Sequence, residues 1–159
     1  MIFLKEGTLM SVIKDRLQDD WKTALKAKDK FTVSVISTAR AAILLVEKTE
    51  NRKLEDDEVI TILAKEVKQG RESMLEFEKG NRQDLIEKSK AEIEILLKYL
   101  PKQLSEEVIK QIVKESAEEV GANSIKDMGK VMSSVRPKVL GKADGKLVSQ
   151  IVKEYLNNI

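Results

Sequence analysis

The first proline of this chain is residue 101. Proline is the residue that helix interiors tolerate least, so a hundred residues without one leave long helices open throughout. The apolar residues fill them. After Ser11, placed as a helix cap, Ile13, Leu17, Trp21, Ala24 and Leu25 recur at helical spacing. KAKDK interrupts that stripe, and Asp29 is set to cap a second helix, FTVSVISTARAAILLVEKTE, which is apolar nearly all round and is expected to be the buried centre of its unit. A third helix is expected from Glu55–Glu58, where acidic side chains suit the positive helix terminus, through Val59, Leu63, Val67, Met74 and Phe77. Gly70 falls inside it at a cost of up to about 1 kcal/mol relative to alanine. Gly80 and Asn81 read as a stop and a cap. A fourth stripe from Leu85 to Leu100 ends at Pro101, because the residue before proline avoids the helical region.

Pro101–Leu104 is the expected domain boundary. Beyond it Ser105 opens a helix with Val108, Ile109, Ile112, Val113 and Ala117, closed by Gly121 in the left-handed conformation that glycine tolerates. Ser124 opens the next, with Met128, Val131, Met132, Val135 and Val139 on one side. Asp144 caps the last, which carries Val148, Ile151, Val152 and Leu156. The expected fold is therefore all-α. A four-helix antiparallel assembly (residues 10–100) precedes a small three-helix domain (residues 101–159).

The missing residue types narrow the chemistry. The 159 residues contain neither cysteine nor histidine. That excludes Ser–His–Asp triads, thiol nucleophiles, disulfides and the usual zinc sites. No metal site and no cofactor are expected, and acid–base chemistry would fall to Glu, Asp, Lys or Tyr. No apolar run reaches the roughly 20 residues that span a bilayer, and Ile2–Leu4 is too short for a secretory signal core, so a cytoplasmic address and no membrane partner are expected. The formal charge of +2 is small, but it is unevenly spread. Residues 1–100 carry equal numbers of acids and bases, whereas from Ser124 onward seven bases face three acids.

That basic segment contains Gly141-Lys-Ala-Asp-Gly-Lys-Leu. A Walker-type loop needs four residues between its glycines and Ser or Thr after the lysine, following a strand. Here the spacer is short, Leu147 stands at the magnesium position, and helix precedes. A helix stop at Gly141 and a cap at Asp144 account for the stretch. The lysines nonetheless face outward. At about 100° per residue, Lys126, Lys130 and Ser133 lie opposite the apolar side, with Gly129 beside them to permit close approach. Arg136, Lys138, Lys142 and Lys146 follow. Lysines of this kind supply phosphate contacts; the alternative is a solvated charged face.

KDMGKVMSSVRPKVLGKADGKLVSQIVKEYL resembles the tail of the YqeY family of small bacterial proteins. The likeness extends over MSVIKDRLQDDWKTALKAKDK and EFEKGNRQDLIEKSKAEIEILLKYLPKQLSEE, with YLPKQLSEE, DMGKVM and GKADGKLV its most specific parts. Ser133 departs from the glycine usual after GKVM, and Arg136 from a more usual methionine. The resemblance implies an all-helical fold of two parts, the second similar to the tail of the B subunit of tRNA-dependent amidotransferase, where GKANP replaces GKADG. It implies tRNA, or a tRNA-handling enzyme, as partner. Lys126, Gly129, Lys130, Lys142 and Lys146 then become RNA-contacting candidates, joined by Ser133, Arg136 and Lys138 from the same segment.

Three functions follow as expectations: a non-catalytic module binding tRNA or a tRNA-handling enzyme, a component of a carbon–nitrogen ligase with glutamine as amido donor, or a protein-binding adaptor using Trp21. The second lacks an identifiable nucleophile. Ser133–Ser134 sits in a helix, and the upstream lysine of a Ser–Ser–Lys amidase site has no large sheet domain to occupy. Met1–Leu9 fit neither the first helix nor the family opening at Met10. Lys5-Glu6-Gly7 can be encoded by AAG-GAG-GGN, a ribosome-recruiting sequence at initiation distance from Met10, so these residues are expected to be a translated leader.

Overall fold

The computed structural model describes residues 11–159, and the expectation for Met1–Leu9 lies outside them. Among the described residues the chain is helical: α1 (Val12–Lys26), α2 (Lys30–Glu50), α3 (Asp56–Lys79), α4 (Gln83–Leu97), α5 (Glu106–Glu119), a 3-10 turn (Ile125–Asp127), α6 (Met128–Val139) and α7 (Gly145–Asn157). It divides into two compact units between Leu100 and Pro101. None of these helices is long and apolar enough to cross a membrane.

In the first unit α3 packs most extensively on α4, and α1 on α2. Leu17, Ile36, Leu63, Val59 and Val67 are wholly buried in one core. Gly70 continues α3 and explains itself by packing. A Cβ there would stand 3.0 Å from Ile93 Cγ1, so the missing side chain lets α4 come close. The α2 helix touches α1, α3 and α4 and buries Val35, Ile36, Ala39 and Ile43. It is not surrounded, however. Leu44 and Leu45 are 45% and 66% exposed, because three neighbours on one side cannot wrap a helix in so small a unit. At the α3–α4 turn Gly80 ends α3 as expected, but Asn81 is the left-handed residue (φ 53°), and Arg82, not Asn81, takes the cap position, without a side-chain bond.

Polar ties close the unit at its chain reversals. Ser11 Oγ accepts the Lys14 amide at 3.1 Å and donates to Asp56 Oδ1, which also accepts the Ile13 amide at 3.2 Å. The start of α3 thereby caps the start of α1. Glu47, 6% exposed, accepts from Lys14 Nζ at 2.6 Å and from the Leu54 amide at 2.9 Å. Tyr99, 4% exposed, donates to Asp20, while the Arg16 guanidinium lies 5.1 Å from its ring centroid and donates to the Lys98 carbonyl. Burial first, then the Asp20 carboxylate, push the Tyr99 phenol well above its ordinary pKa.

The second unit packs Ile109, Val113 and Ala117 of α5 against Val131, Val135 and Val139 of α6 and Val148, Ile151, Val152 and Leu156 of α7. Ser105 Oγ caps α5, and Gly121 ends its turn at φ +66°. Ser124 caps the 3-10 turn, not α6 directly, so one tight turn precedes the helix that the sequence suggests begins there.

Glu47 is the buried carboxylate through which acid is expected to act on the first unit. Burial is the largest single influence on it and pushes its pKa up. The hydrogen bonds from Lys14 and the Leu54 amide, with the charges of Lys14 and Lys53, together outweigh burial and hold the pKa below the ordinary glutamate value. Unfolded glutamate titrates near about 4.3. The stabilisation is therefore complete above that pH and is lost as pH falls through the lower folded value. Lys14→Met should cost about 1–3 kcal/mol in urea unfolding at neutral pH and raise the midpoint of acid unfolding. An acid midpoint that does not move would place the acid-sensitive group elsewhere.

Candidate nucleic-acid interface

The roll of α6 decides where its cations go. Val131, Val135 and Val139 are buried at four-residue spacing, and this stripe turns Gly129, Lys130, Ser133 and Arg136 to solvent. Lys126, on the preceding 3-10 turn, is also exposed; its amide donates to Ser124 Oγ at 3.3 Å. A Cβ on Gly129 would meet nothing within 4 Å, so the face beside Lys126 and Lys130 is open. The 3-10 turn itself packs against both α6 and α7.

The turn after α6 carries two more lysines. Gly141 is buried at φ +70°, a conformation open to glycine at little steric cost. The Lys142 amide donates to the Val139 carbonyl at 2.8 Å, and Asp144 Oδ1 accepts the Lys146 amide at 3.2 Å, capping α7. The GKADGK stretch is thus a helix stop followed by a cap. Lys142 is half-buried and Lys146 exposed.

Lys138 is not with the others. Its Nζ lies 2.9 Å from Ser116 Oγ and 2.9 Å from Glu119 Oε2, tying α6 to α5. On a helix of about 100° per residue it stands about 160° from Arg136 and about 20° from Val131, which separates a structural lysine from the exposed ones. Of these six cations, only Lys130 and Lys138 have an acidic partner within 4.0 Å among the described residues, and Lys130 reaches Asp127 only at 4.0 Å. The nearby acids are otherwise engaged. The Asn123 amide, at 3.0 Å, is the main cause holding Asp127 below its usual pKa, with the Lys130 charge contributing less. Glu119 is lowered mainly by the Lys138 hydrogen bond.

Two features escape a reading by apolar spacing. Pro137 lies inside α6. It has no N–H for the carbonyl four residues earlier, so the Ser133 carbonyl lacks its usual intrahelical donor; the proline's position is the signal. Gln103 is the other. Its side-chain amide donates to the Gly141 carbonyl at 2.8 Å and to the Pro101 carbonyl at 3.0 Å. Nothing in residue periodicity marks it.

These features define a class: an all-helical protein of two units, the second presenting cations on one exposed helix face and on the turn after it. Residues 14–156 match the Yqey-like protein family, and the chain belongs to the YqeY family. It is 31% identical over 155 residues to "Altered inheritance of mitochondria protein 41, mitochondrial" of Pyrenophora tritici-repentis, a match covering 94% of this chain and 84% of the relative. It is 28% identical over 97 residues to "Uncharacterized protein C22F3.15" of Schizosaccharomyces pombe, covering 61% of this chain and 76% of that protein. Both relatives are fungal, although the resemblance drawn from motifs was to bacterial proteins.

The division between structural and exposed lysines is testable by stability alone. Lys138→Met should lower the unfolding free energy by about 1–2 kcal/mol, since the fully buried Ser116 loses its partner. Lys126→Met and Arg136→Met should stay within about 0.5 kcal/mol of the parent. Urea titration of each variant measures the difference, and equal losses from all three would refute the division.

Proposed function

We propose that this protein is a non-catalytic helical module that binds tRNA through the exposed face of α6 and the turn after it. The observation that carries the reading is that Lys126, Arg136, Lys142 and Lys146 have no acidic partner within 4.0 Å among the described residues, while Gly129 beside them is open. Cations left without protein partners are available to phosphates. The hydroxyl of the exposed Ser133 offers an acceptor to hydroxyl donors, such as the ribose 2′-OH that distinguishes RNA. The two units are proposed to be separate domains, a four-helix antiparallel assembly and a three-helix tail. The compartment is one where tRNA is handled, which includes mitochondria, the organelle in the Pyrenophora relative's name, as well as the cytoplasm.

A second reading, the adaptor, is favoured by the exposed Leu44 and Leu45 on α2. Trp21 itself is engaged: its indole donates to Ser37 Oγ at 2.9 Å and Arg40 lies 5.0 Å from its ring. The adaptor surface would therefore centre on the leucines.

Filter binding against bulk tRNA at several salt concentrations tests the first reading. Neutralising about three to five phosphates gives a log–log salt slope of about −3 to −4. Lys126→Glu with Lys130→Glu should abolish binding, and Lys22→Glu with Lys26→Glu in α1 should leave it nearly intact. Equal loss from both pairs would mean diffuse attraction and no site, and absence of tRNA binding at low salt would leave the adaptor. For the domains, a fragment ending at Leu100 should unfold cooperatively on heating; a molten fragment would mean that the two units share one core.

A further inference from the structure

The turn that displays Lys142 and Lys146 is held from an unexpected side. Gly141 is the freest residue to place at a chain reversal, and a left-handed glycine with one tie can rearrange readily. Here the backbone on its C-terminal side is fixed three times. The Lys142 amide is held by Val139, as in an ordinary helix stop. The other two ties come from the segment that enters the unit. The Leu104 amide donates to the Lys142 carbonyl at 2.8 Å, and the Gln103 side chain donates to the Gly141 carbonyl at 2.8 Å. The second donor of the same amide group reaches Pro101 at 3.0 Å, so both of its N–H bonds are used and its orientation is set. Leu104 anchors the segment by packing against the core of the second unit.

We propose that Gln103 is a positioning residue for the basic turn: with Leu104 it straps residues 101–104 across Gly141–Lys142 and so fixes the direction in which Lys142 and Lys146 meet a polyanion. The inference rests on the polyanion-binding reading above. It gives a role to an uncharged residue outside the basic segment. It also makes the start of the second unit part of its binding surface, so that anything altering residues 101–104 alters the turn.

The test uses the full chain and Gln103→Met, which keeps the length of the side chain and removes the amide. Two probes are used, tRNA and inorganic polyphosphate, together with amide hydrogen exchange. Exchange at Leu104 and Lys142 should rise about tenfold. Affinity for either probe should fall about three- to tenfold, and the salt slope should become shallower by about 1 to 2, as contacts from one or two lysines are lost. Lys142→Ala should then add little in the Gln103→Met background while weakening the parent, the mark of coupled positions. Unchanged exchange overturns the proposal. So does weaker binding with an unchanged salt slope, which is what general destabilisation would produce, or an equal Lys142→Ala effect in both backgrounds. If the parent binds polyphosphate but not tRNA, and binding depends on Gln103 as described, the tRNA reading falls and the strap stands. If tRNA binding is unaffected by Gln103→Met, the strap falls and the tRNA reading stands. If the parent binds neither probe, both fall.

Discussion

A carboxylate taken out of water must be answered by donors or it destabilises what surrounds it. Glu47 is that group in the first unit. Its two donors come from different places in the chain, Lys14 in α1 and the Leu54 amide in the loop before α3. Satisfying one residue therefore brings three segments to one point. The neighbouring tie through Asp56 adds the N-termini of α1 and α3. Further along α1, Asp20 and Arg16 hold Tyr99 just after α4. The apolar core supplies most of the burial, but these polar ties decide which helix ends meet. An apolar residue at position 47 could pack in several ways; a carboxylate with two required donors restricts the choice.

The second unit has a partly exposed counterpart. Lys138 is the cation that ties α6 to α5, accepted by the buried Ser116 and the exposed Glu119. Of the other cations of the segment, Lys130 reaches Asp127 only at 4.0 Å, and Lys126, Arg136, Lys142 and Lys146 have no acidic partner within 4.0 Å among the described residues. A lysine-rich helix is therefore divided into a residue that holds the fold together and residues that do not, and the valine stripe makes the division. Had α6 been rolled by about 100°, another basic residue would have met α5 and the exposed set would differ. The functional reading thus depends on the packing of three valines as much as on the lysines.

Much of this was legible in the residues. The caps at Ser11, Asp29, Ser105 and Asp144, and the left-handed Gly121, follow from side-chain chemistry at a helix end and are found in the structure. The α3–α4 turn was only half legible: Gly80 ends α3, but the cap of α4 is Arg82, because Asn81 takes the left-handed position of the turn. Apolar content alone also overstated the burial of α2, because composition gives hydrophobicity but not the number of neighbours. At the candidate interface, wheel geometry identified Lys126, Lys130 and Ser133 as outward-facing. Lys138 was grouped with them by closeness in sequence, although its helical angle sets it apart. Gln103 was beyond such reasoning, since its distant partner, the Gly141 carbonyl, lies thirty-eight residues along the chain and belongs to the backbone.

The electrostatic character of the exposed face follows from what the chain lacks. With no histidine, it has no side chain whose ordinary titration falls between pH 5 and 8. Asp127, the acid nearest Lys130, is held in its charged form by the Asn123 amide and by that lysine. Protons are thus poor modulators of this surface in the physiological range, whereas ions in solution are effective ones. The excess of cations over acids beyond Ser124 is modest, and attraction between exposed charges fades beyond a Debye length of about 8 Å at physiological salt. Charge alone can bring a polyanion to this face but hold it only loosely. On the function proposed above, selectivity comes from shape: the open approach at Gly129, the Ser133 hydroxyl, and the tied turn at Gly141–Lys142. On that proposal, holding the backbone that carries a few cations does what a modest charge excess cannot, because it favours a phosphate backbone of matching spacing over one that is merely negative.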